Sequence, residues 1–258
     1  MAKFDINKVV VPTAKPLPVI LLLDVSGSMR GEKIAALNKS VEEMIASFAD
    51  QTKREVEIQV SAITFGSEVK VHLPYTPAPD IKWTPLSAGG ATPLADALVM
   101  AKEMVEDKAT TPSRAYRPAV VLVSDGAPWP ETQPWEQALA AFVGSGRSSK
   151  CERYALGIGS ETDESVLEKF VEGTDDQTVH HADDASGIVE FFKFVTMSVS
   201  TRSKSSNPNQ TVVVGQSGLP AAPAATEVPP APHMSSTSGV PSTGAASAPA
   251  SKPRRKYW

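Results

Sequence analysis

The sequence predicts an α/β protein built on a doubly wound, mostly parallel β-sheet that helices cover on both faces. Residues 19–23 and 119–123 are unbroken apolar runs of strand length, which is typical of strands buried on both faces. Segments with helical periodicity alternate with the strand-like segments along the chain, and this alternation favours crossover connections between parallel strands. One antiparallel edge strand is expected, because Gly66 turns residues 55–65 back into residues 69–73.

The spacing of apolar residues predicts the remaining elements. Residues 32–48 form the first predicted helix, because Leu37, Val41 and Met44 recur every three or four residues on one face. The other segments with helical spacing are residues 93–106, 135–143, 164–172 and 186–200. The other predicted strands are residues 153–158 and, as a short edge strand, residues 179–182.

Length, charge and cysteine content exclude several classes of protein. The chain has 258 residues, enough for one large domain with some chain left over. Its formal net charge of −4 argues against a protein built as a whole to bind nucleic acid or anionic membrane. No apolar run reaches the roughly 20 residues that a membrane span needs, and the N-terminus lacks the features of a signal peptide. Since Cys151 is the single cysteine, we expect no internal disulfide and a cytoplasmic setting.

A change in composition near residue 203 divides the chain. We expect an N-terminal extension at residues 1–16, an α/β domain at 17–202 and a disordered tail at 203–258, which is rich in Pro, Ala and Ser. The tail ends in a basic and aromatic sequence, KPRRKYW. This end is either solvated or a docking peptide whose side chains contact an acidic partner. The contact residues of the docking hypothesis are Arg254, Arg255, Tyr257 and Trp258.

Oxygen-bearing side chains follow two of the buried strands and precede one of the helices. Because the carboxyl ends of parallel strands meet at one edge of a sheet, we expect these side chains to lie together. They are Asp24, Ser26, Ser28, Thr92 and Asp125. All five offer oxygen, which suits Mg²⁺, Mn²⁺ or Ca²⁺ and not the softer metals that prefer Cys or His.

Only two carboxylates belong to this set, so a divalent ion would keep an open position that attracts a third. The natural sixth ligand is an Asp or Glu of another molecule, which makes the predicted site a device for joining proteins. Each motif also has an ordinary structural interpretation, and Asp24 could simply end a strand. Ser28 could cap the next helix, Thr92 could cap the helix that follows Pro93, and Asp125 with Gly126 could form a turn.

The pattern Asp24-x-Ser26-x-Ser28, with Thr92 and Asp125 downstream, resembles the metal-ion-dependent adhesion site of von Willebrand factor type A (vWA) domains. The resemblance covers roughly residues 17 to 200 and implies a Rossmann-like sheet with Mg²⁺ or Mn²⁺ at its top. It also implies that Asp24, Ser26 and Ser28 form the first loop of the site, that Thr92 alternates between direct and water-mediated contact, and that Asp125 acts through water.

Two further segments, GGATPLADAL and SDG, resemble those of bacterial TerY-like proteins. That branch implies a role in tellurite-resistance and stress-response systems, alongside a protein kinase and a PP2C-type phosphatase. An alternative within the same chemistry is a substrate adaptor of a MoxR- or chelatase-type AAA+ ATPase. The third hypothesis is a metal-dependent phosphohydrolase, which would need a general base or a second metal that the five residues do not provide.

Aromatic and histidine residues near these motifs give weaker hypotheses. Trp129 and Trp135 lie just after Asp125, so either could anchor a partner at the rim of the site or pack beneath the loop. His180 and His181 are followed by two aspartates. A shared metal ion is not expected there, because adjacent residues of a strand point to opposite faces.

Overall fold

The computed structural model describes residues 14–51, 56–129, 134–160 and 162–210. The strands are β1 (Lys15–Asp24), β2 (Val56–Phe65), β3 (Val69–Pro77), β4 (Ala119–Ser124), β5 (Glu152–Ile158) and β6 (Val179–Ala182). The helices are α1 (Glu32–Ala49), α2 (Leu94–Glu106), α3 (Trp135–Gly144), α4 (Glu164–Val171) and α5 (Ala185–Lys204). Within the described residues, no helix has both the length and the apolar character needed to cross a membrane.

The six strands form one sheet in the order β3-β2-β1-β4-β5-β6. Every neighbouring pair is parallel except β2 and β3, which are antiparallel at one edge. This arrangement confirms the predicted fold class. The chain turns to one side of β1 to form β2 and later to the other side to form β4. The carboxyl ends of β1 and β4 therefore lie side by side at the point where strand order reverses, the usual ligand position in such folds.

Burial on both faces explains the unbroken apolar run of β1. Leu21 and Leu23 pack in a cluster with α1 and α5 on one face, whereas Ile20 and Leu22 pack with α2, α3 and α4 on the other. All four side chains are fully buried. Each such burial stabilises the fold by about 1.5–3 kcal/mol before the entropy of ordering is subtracted. The run that looks continuous in the sequence thus serves two separate half-cores.

The strand β1 begins earlier than the sequence predicts. Pro16 and Pro18 lie inside it, although proline usually marks the end of a strand. Both prolines pair with β2 alone, since pairing with β4 begins at Val19. In this first part of β1, no described strand pairs on the side facing away from β2, so the missing N–H groups leave no ladder hydrogen bond unmade among the described residues.

The helix α5 also continues past the predicted end, and a buried arginine holds its last turn. The Arg202 guanidinium is fully buried and donates to the carbonyl of Arg117 at 2.6 Å and to the carbonyl of Pro208 at 3.1 Å. The backbone N–H of Arg117 in turn donates to Asn209 Oδ1 at 2.8 Å. These hydrogen bonds hold the chain after α5 beside the start of β4, at the end of the sheet opposite the carboxyl ends of the parallel strands.

Candidate metal centre

Backbone hydrogen bonds join the two glycine-containing loops at the carboxyl edge of the sheet. The N–H of Gly27 donates to the carbonyl of Gly90 at 3.0 Å, and the N–H of Gly89 donates to the carbonyl of Val25 at 2.6 Å. Gly90 has φ +94°, and a Cβ there would lie 2.1 Å from the backbone nitrogen of Ser67. Only glycine allows this approach, so the sequence Gly89-Gly90 positions the loop that carries Thr92.

The predicted oxygen ligands lie in one cluster. Ser26 donates its backbone N–H to Asp24 Oδ1 at 2.8 Å. The hydroxyl of Ser28 donates to Asp125 Oδ1 at 2.7 Å, and the Ser26 and Ser28 hydroxyls are 2.9 Å apart. These contacts bring side chains separated by about a hundred positions in the sequence into one cluster.

Thr92 lies against the loop that follows β4. Its Oγ1 is 3.9 Å from the position that a Cβ would take at Gly126. Its backbone forms a two-hydrogen-bond bridge with Trp129, with N···O distances of 2.7 and 2.9 Å. The structure thus places the hydroxyl of Thr92 next to the Asp125 loop, where the sequence predicts it.

The structure does not support the interpretation that Ser28 and Thr92 cap the helices that follow them. The helix α1 has Gly31 at its N-cap, and Ser28 lies in a separate 3₁₀ turn, Gly27–Met29. The helix α2 begins at Leu94 with Pro93 at its N-cap and no side-chain cap. Ser28 and Thr92 therefore do not cap these helices. The Ser28 hydroxyl instead contacts Ser26 and Asp125, and the Thr92 hydroxyl lies beside Gly126.

Burial places an uncompensated negative charge in the cluster. Removal from water raises the pKa of Asp24 to about 6, against hydrogen bonds from Ser26 and Ser124 that lower it. The neighbouring Asp125 carboxylate raises it further. Asp125 has its own cation, because Lys33 Nζ lies 2.8 Å from its Oδ2. In the described part of the chain, no basic side chain forms an ion pair with Asp24.

These features fit a hard divalent cation. Two buried carboxylates and the hydroxyls of Ser26, Ser28 and Thr92 offer oxygen donors at this end of the sheet, and no described basic side chain forms an ion pair with Asp24. The residues that the structure describes contain no cluster of three or more His, Cys, Asp or Glu suited to a metal. A cation at this point would therefore depend on the three hydroxyl groups as well as the two acids.

Sequence reasoning missed two participants. The hydroxyl of Ser124 donates to Asp24 Oδ2 at 2.8 Å, so it orients the carboxylate from the adjacent strand. Lys33 reaches Asp125 from the first turn of α1. The position of Ser124 at the end of a buried strand was a usable signal. No local sequence pattern indicates the pairing of Lys33 with Asp125, because the two residues are 92 positions apart.

The two tryptophans of the rim hypothesis lie in different environments. Trp129 is 71% exposed, whereas Trp135, the first residue of α3, is 4% exposed and packs in the core. The side chain of Trp135 is thus not on the rim, because its apolar ring is needed to fill the half-core there. Arg254, Arg255 and Trp258 lie outside the described residues.

The histidine pair forms no shared site. The ring of His180 packs against Phe194 with a centroid distance of 4.5 Å and against Phe191 at 5.3 Å. His181 is directed elsewhere, with its Nε2 3.3 Å from Glu164 Oε1. The two rings thus serve separate contacts, as expected for neighbours on a strand.

The family model of the von Willebrand factor type A domain matches residues 19–194, and the chain belongs to this family. Matrilin-3 of Gallus gallus is 29% identical over 154 residues, which are 56% of this chain and 32% of matrilin-3. Proximal thread matrix protein 1 from the mussel byssus superposes with a TM-score of 0.57 at 20% identity, over 71% of this chain and 48% of the mussel chain.

A second structure of the mussel protein has a zinc-occupied MIDAS motif, the metal-ion-dependent adhesion site. It gives a TM-score of 0.55 at 17% identity over 71% of this chain and 48% of that chain. At such identities the structural likeness concerns the fold. The present chain spans about a third of matrilin-3 and about half of the mussel protein.

Proposed function

We propose that the protein is a divalent-metal-dependent protein-binding adaptor in which a partner carboxylate completes the coordination of Mg²⁺ or Mn²⁺. The ligands are Asp24, Ser26, Ser28, Thr92 and Asp125. The observation that carries the proposal is the buried charge of Asp24, which forms no ion pair in the described residues and whose carboxylate accepts only from Ser26 and Ser124 there. The zinc-occupied MIDAS motif of the mussel protein supports a metal at the corresponding edge of this fold.

The serine residues of the site position its two carboxylates. Ser26 and Ser124 orient the Asp24 carboxylate through hydrogen bonds to its two oxygens, while Ser28 holds one oxygen of Asp125. Ser28 is exposed, so the cluster opens to solvent on its side. A bound cation supplies electrophilic attraction for an anionic ligand. A protein carboxylate approaching along the open side meets neutral hydroxyls first and both buried acids last.

The rim offers an aromatic contact for the same partner. Trp129 is exposed, and its backbone is bridged to Thr92. A partner that reaches the metal therefore passes close to this ring, and tryptophan is enriched among residues that dominate binding energy. We propose Trp129 as the aromatic anchor of the interface.

The cellular setting follows from the TerY-like segments. We propose a cytoplasmic adaptor in a bacterial tellurite-resistance or stress-response system, with a kinase or PP2C-type phosphatase as partner. An adaptor of a MoxR- or chelatase-type ATPase would use the same metal surface and differ only in the partner. A phosphohydrolase is less well supported, because no third acid or histidine joins the cluster within the described residues.

Two measurements test the proposal. Titration with Mn²⁺ should give saturable binding to the wild type and none to Asp24→Asn, with Asp183→Asn, which alters an exposed acid, as the matched control. Immobilised wild type and Asp24→Asn would then be incubated with bacterial lysate in Mg²⁺ and in EDTA. The proposal requires proteins that only the wild type retains, and only with Mg²⁺. Equal retention in all four conditions would contradict it, and the identity of the retained proteins separates the kinase–phosphatase system from the ATPase.

A further inference from the structure

The ammonium group of Lys33 lies within the ligand cluster. Its Nζ is 2.8 Å from Asp125 Oδ2, and the Asp125 side chain has no exposed area. The Lys33 side chain is only 32% exposed. It extends from α1 to the end of β5, where Nζ lies 3.7 Å from the position that a Cβ would take at Gly159. The other oxygen of Asp125 accepts from Ser28, so one carboxylate contacts both an internal cation and a proposed metal ligand.

The ammonium group of Lys33 changes the net charge of the site. Two carboxylates and the one ammonium group that contacts them leave a single negative charge. The Arg30 guanidinium lies beside Gly27 and Gly89 and forms no ion pair with either acid among the described residues. A divalent ion changes that charge to one positive, and one partner carboxylate brings it to zero. Without Lys33, the two acids alone would neutralise the ion, and a third carboxylate would add an uncompensated negative charge. Coulomb interactions at these distances are strong wherever water is largely excluded.

We propose that Lys33 is a specificity-determining residue that weakens metal binding and, in return, strengthens the binding of a partner carboxylate to the metal-loaded site. The inference rests on the proposed function. In this proposal the ammonium group of Lys33 offsets the negative charge of Asp125, so the metal-loaded site keeps a positive charge that attracts a carboxylate. It also gives a function to a lysine that contacts a proposed metal ligand in a site that joins two proteins.

A purely structural role predicts different behaviour. If Lys33 only fastened α1 to the loop after β4, its removal would loosen Asp125 and weaken both the metal and the carboxylate. The counter-charge role predicts changes of opposite sign in the two affinities. This difference in sign separates the two roles.

The first arm of the test measures Mn²⁺ affinity by calorimetry. Lys33→Met removes the charge and keeps most of the chain length, and Lys33→Arg retains the charge. Lys39→Met is the matched control, because Lys39 is on the same helix, is 72% exposed and pairs only with Glu43 among the described residues. We expect Lys33→Met to bind Mn²⁺ at least about tenfold more tightly, or about 1.4 kcal/mol. Lys33→Arg and Lys39→Met should stay within about twofold of the wild type.

The second arm titrates acetate, as a minimal carboxylate, into each Mn²⁺-loaded protein at constant ionic strength and follows water-proton relaxation. Acetate should bind several-fold more weakly to Lys33→Met than to the wild type. The inference is overturned if Lys33→Met binds Mn²⁺ with equal or lower affinity, or if its acetate affinity is unchanged or higher. Lys33→Gln repeats both arms should Lys33→Met fail to fold.

The proposed function fails in a distinguishable way. If the wild type binds Mn²⁺ no better than Asp24→Asn, there is no metal site, and the role of Lys33 falls with it. If the wild type binds Mn²⁺ through Asp24 but Lys33→Met shows no tightening, the metal site stands and only the role of Lys33 is refuted.

Discussion

Replacing Asp24 by asparagine is expected to stabilise the metal-free domain while abolishing metal binding. The carboxylate is fully buried, and removal from water raises its pKa from 3.8 to about 6. Asparagine keeps an oxygen to accept from the Ser26 N–H but carries no charge. Its amide group would face the hydroxyl of Ser124, which can turn towards the Gly126 carbonyl 3.3 Å away. The substitution therefore removes the buried charge without leaving Ser124 unpaired.

The pKa shift sets the size and the sign of this effect. Between about pH 4 and 6 the folded state binds the Asp24 proton more tightly than the unfolded state does. The free energy of unfolding therefore falls as pH rises through this window. Two pKa units correspond to about 3 kcal/mol, which is an upper limit for the gain in Asp24→Asn. We expect a gain of about 1–3 kcal/mol above pH 6, and no gain below about pH 4.

Urea denaturation in EDTA at pH 7.5 and at pH 4 measures both the size and the pH dependence. Asp183→Asn, at an exposed position, is the control and should change stability little at either pH. In saturating Mg²⁺ the order should reverse, because only the wild type gains stability from a bound ion. An Asp24→Asn variant that is less stable than the wild type by the same amount at both pH values would refute the reasoning. Its hydrogen bonds, and not its charge, would then dominate.

Three further substitutions test other parts of the structure. Gly90→Ala should lower the free energy of unfolding by at least about 2 kcal/mol and weaken Mn²⁺ binding, because its Cβ would collide with the Ser67 backbone. Gly144→Ala is the control, and it should change neither quantity because the space around Gly144 is open. Trp129→Ala should change stability by less than about 0.5 kcal/mol yet weaken retention of a metal-dependent partner more than about fivefold, and unchanged retention would remove it from the interface. Arg202→Met should cost about 1–3 kcal/mol in urea denaturation by leaving buried carbonyls unpaired, with Mn²⁺ affinity unchanged because it lies at the opposite edge.

Periodicity predicted the sheet because buried strands and amphipathic helices leave local patterns. The five proposed ligands were chosen for a related reason, since each lies at or just after the end of a strand or just before a helix. The early start of β1 could not be predicted from local pattern, because two prolines are tolerated only where β4 is absent. The role of Lys33 depends on a contact across 92 positions. Such contacts depend on how the helices pack, which the spacing of residues along the chain does not encode.

The buried position of Trp135 teaches a similar lesson. It follows the Asp125 loop closely enough to belong to the rim, yet it opens α3 and faces the half-core. Trp129, six positions earlier, is held at the surface by the backbone bridge to Thr92. Both tryptophans are close to Asp125 in the sequence, so closeness alone did not distinguish the exposed ring from the buried one. The difference is that α3 begins at Trp135, whereas Trp129 lies in the loop before it.

The fastening of the chain beside the start of β4 has a mechanical consequence. Tyr116 donates its N–H to Pro16 at 2.8 Å, and Arg117 contacts Asn209, so both described ends of the domain leave from the edge opposite Asp24. A pull between a ligand at Asp24 and the chain that follows α5 would run lengthwise along the central strands. The ladder hydrogen bonds of β1 to β2 and β4 would then carry the load together in shear, instead of opening one at a time. A pull in this direction is therefore resisted by many backbone hydrogen bonds at once.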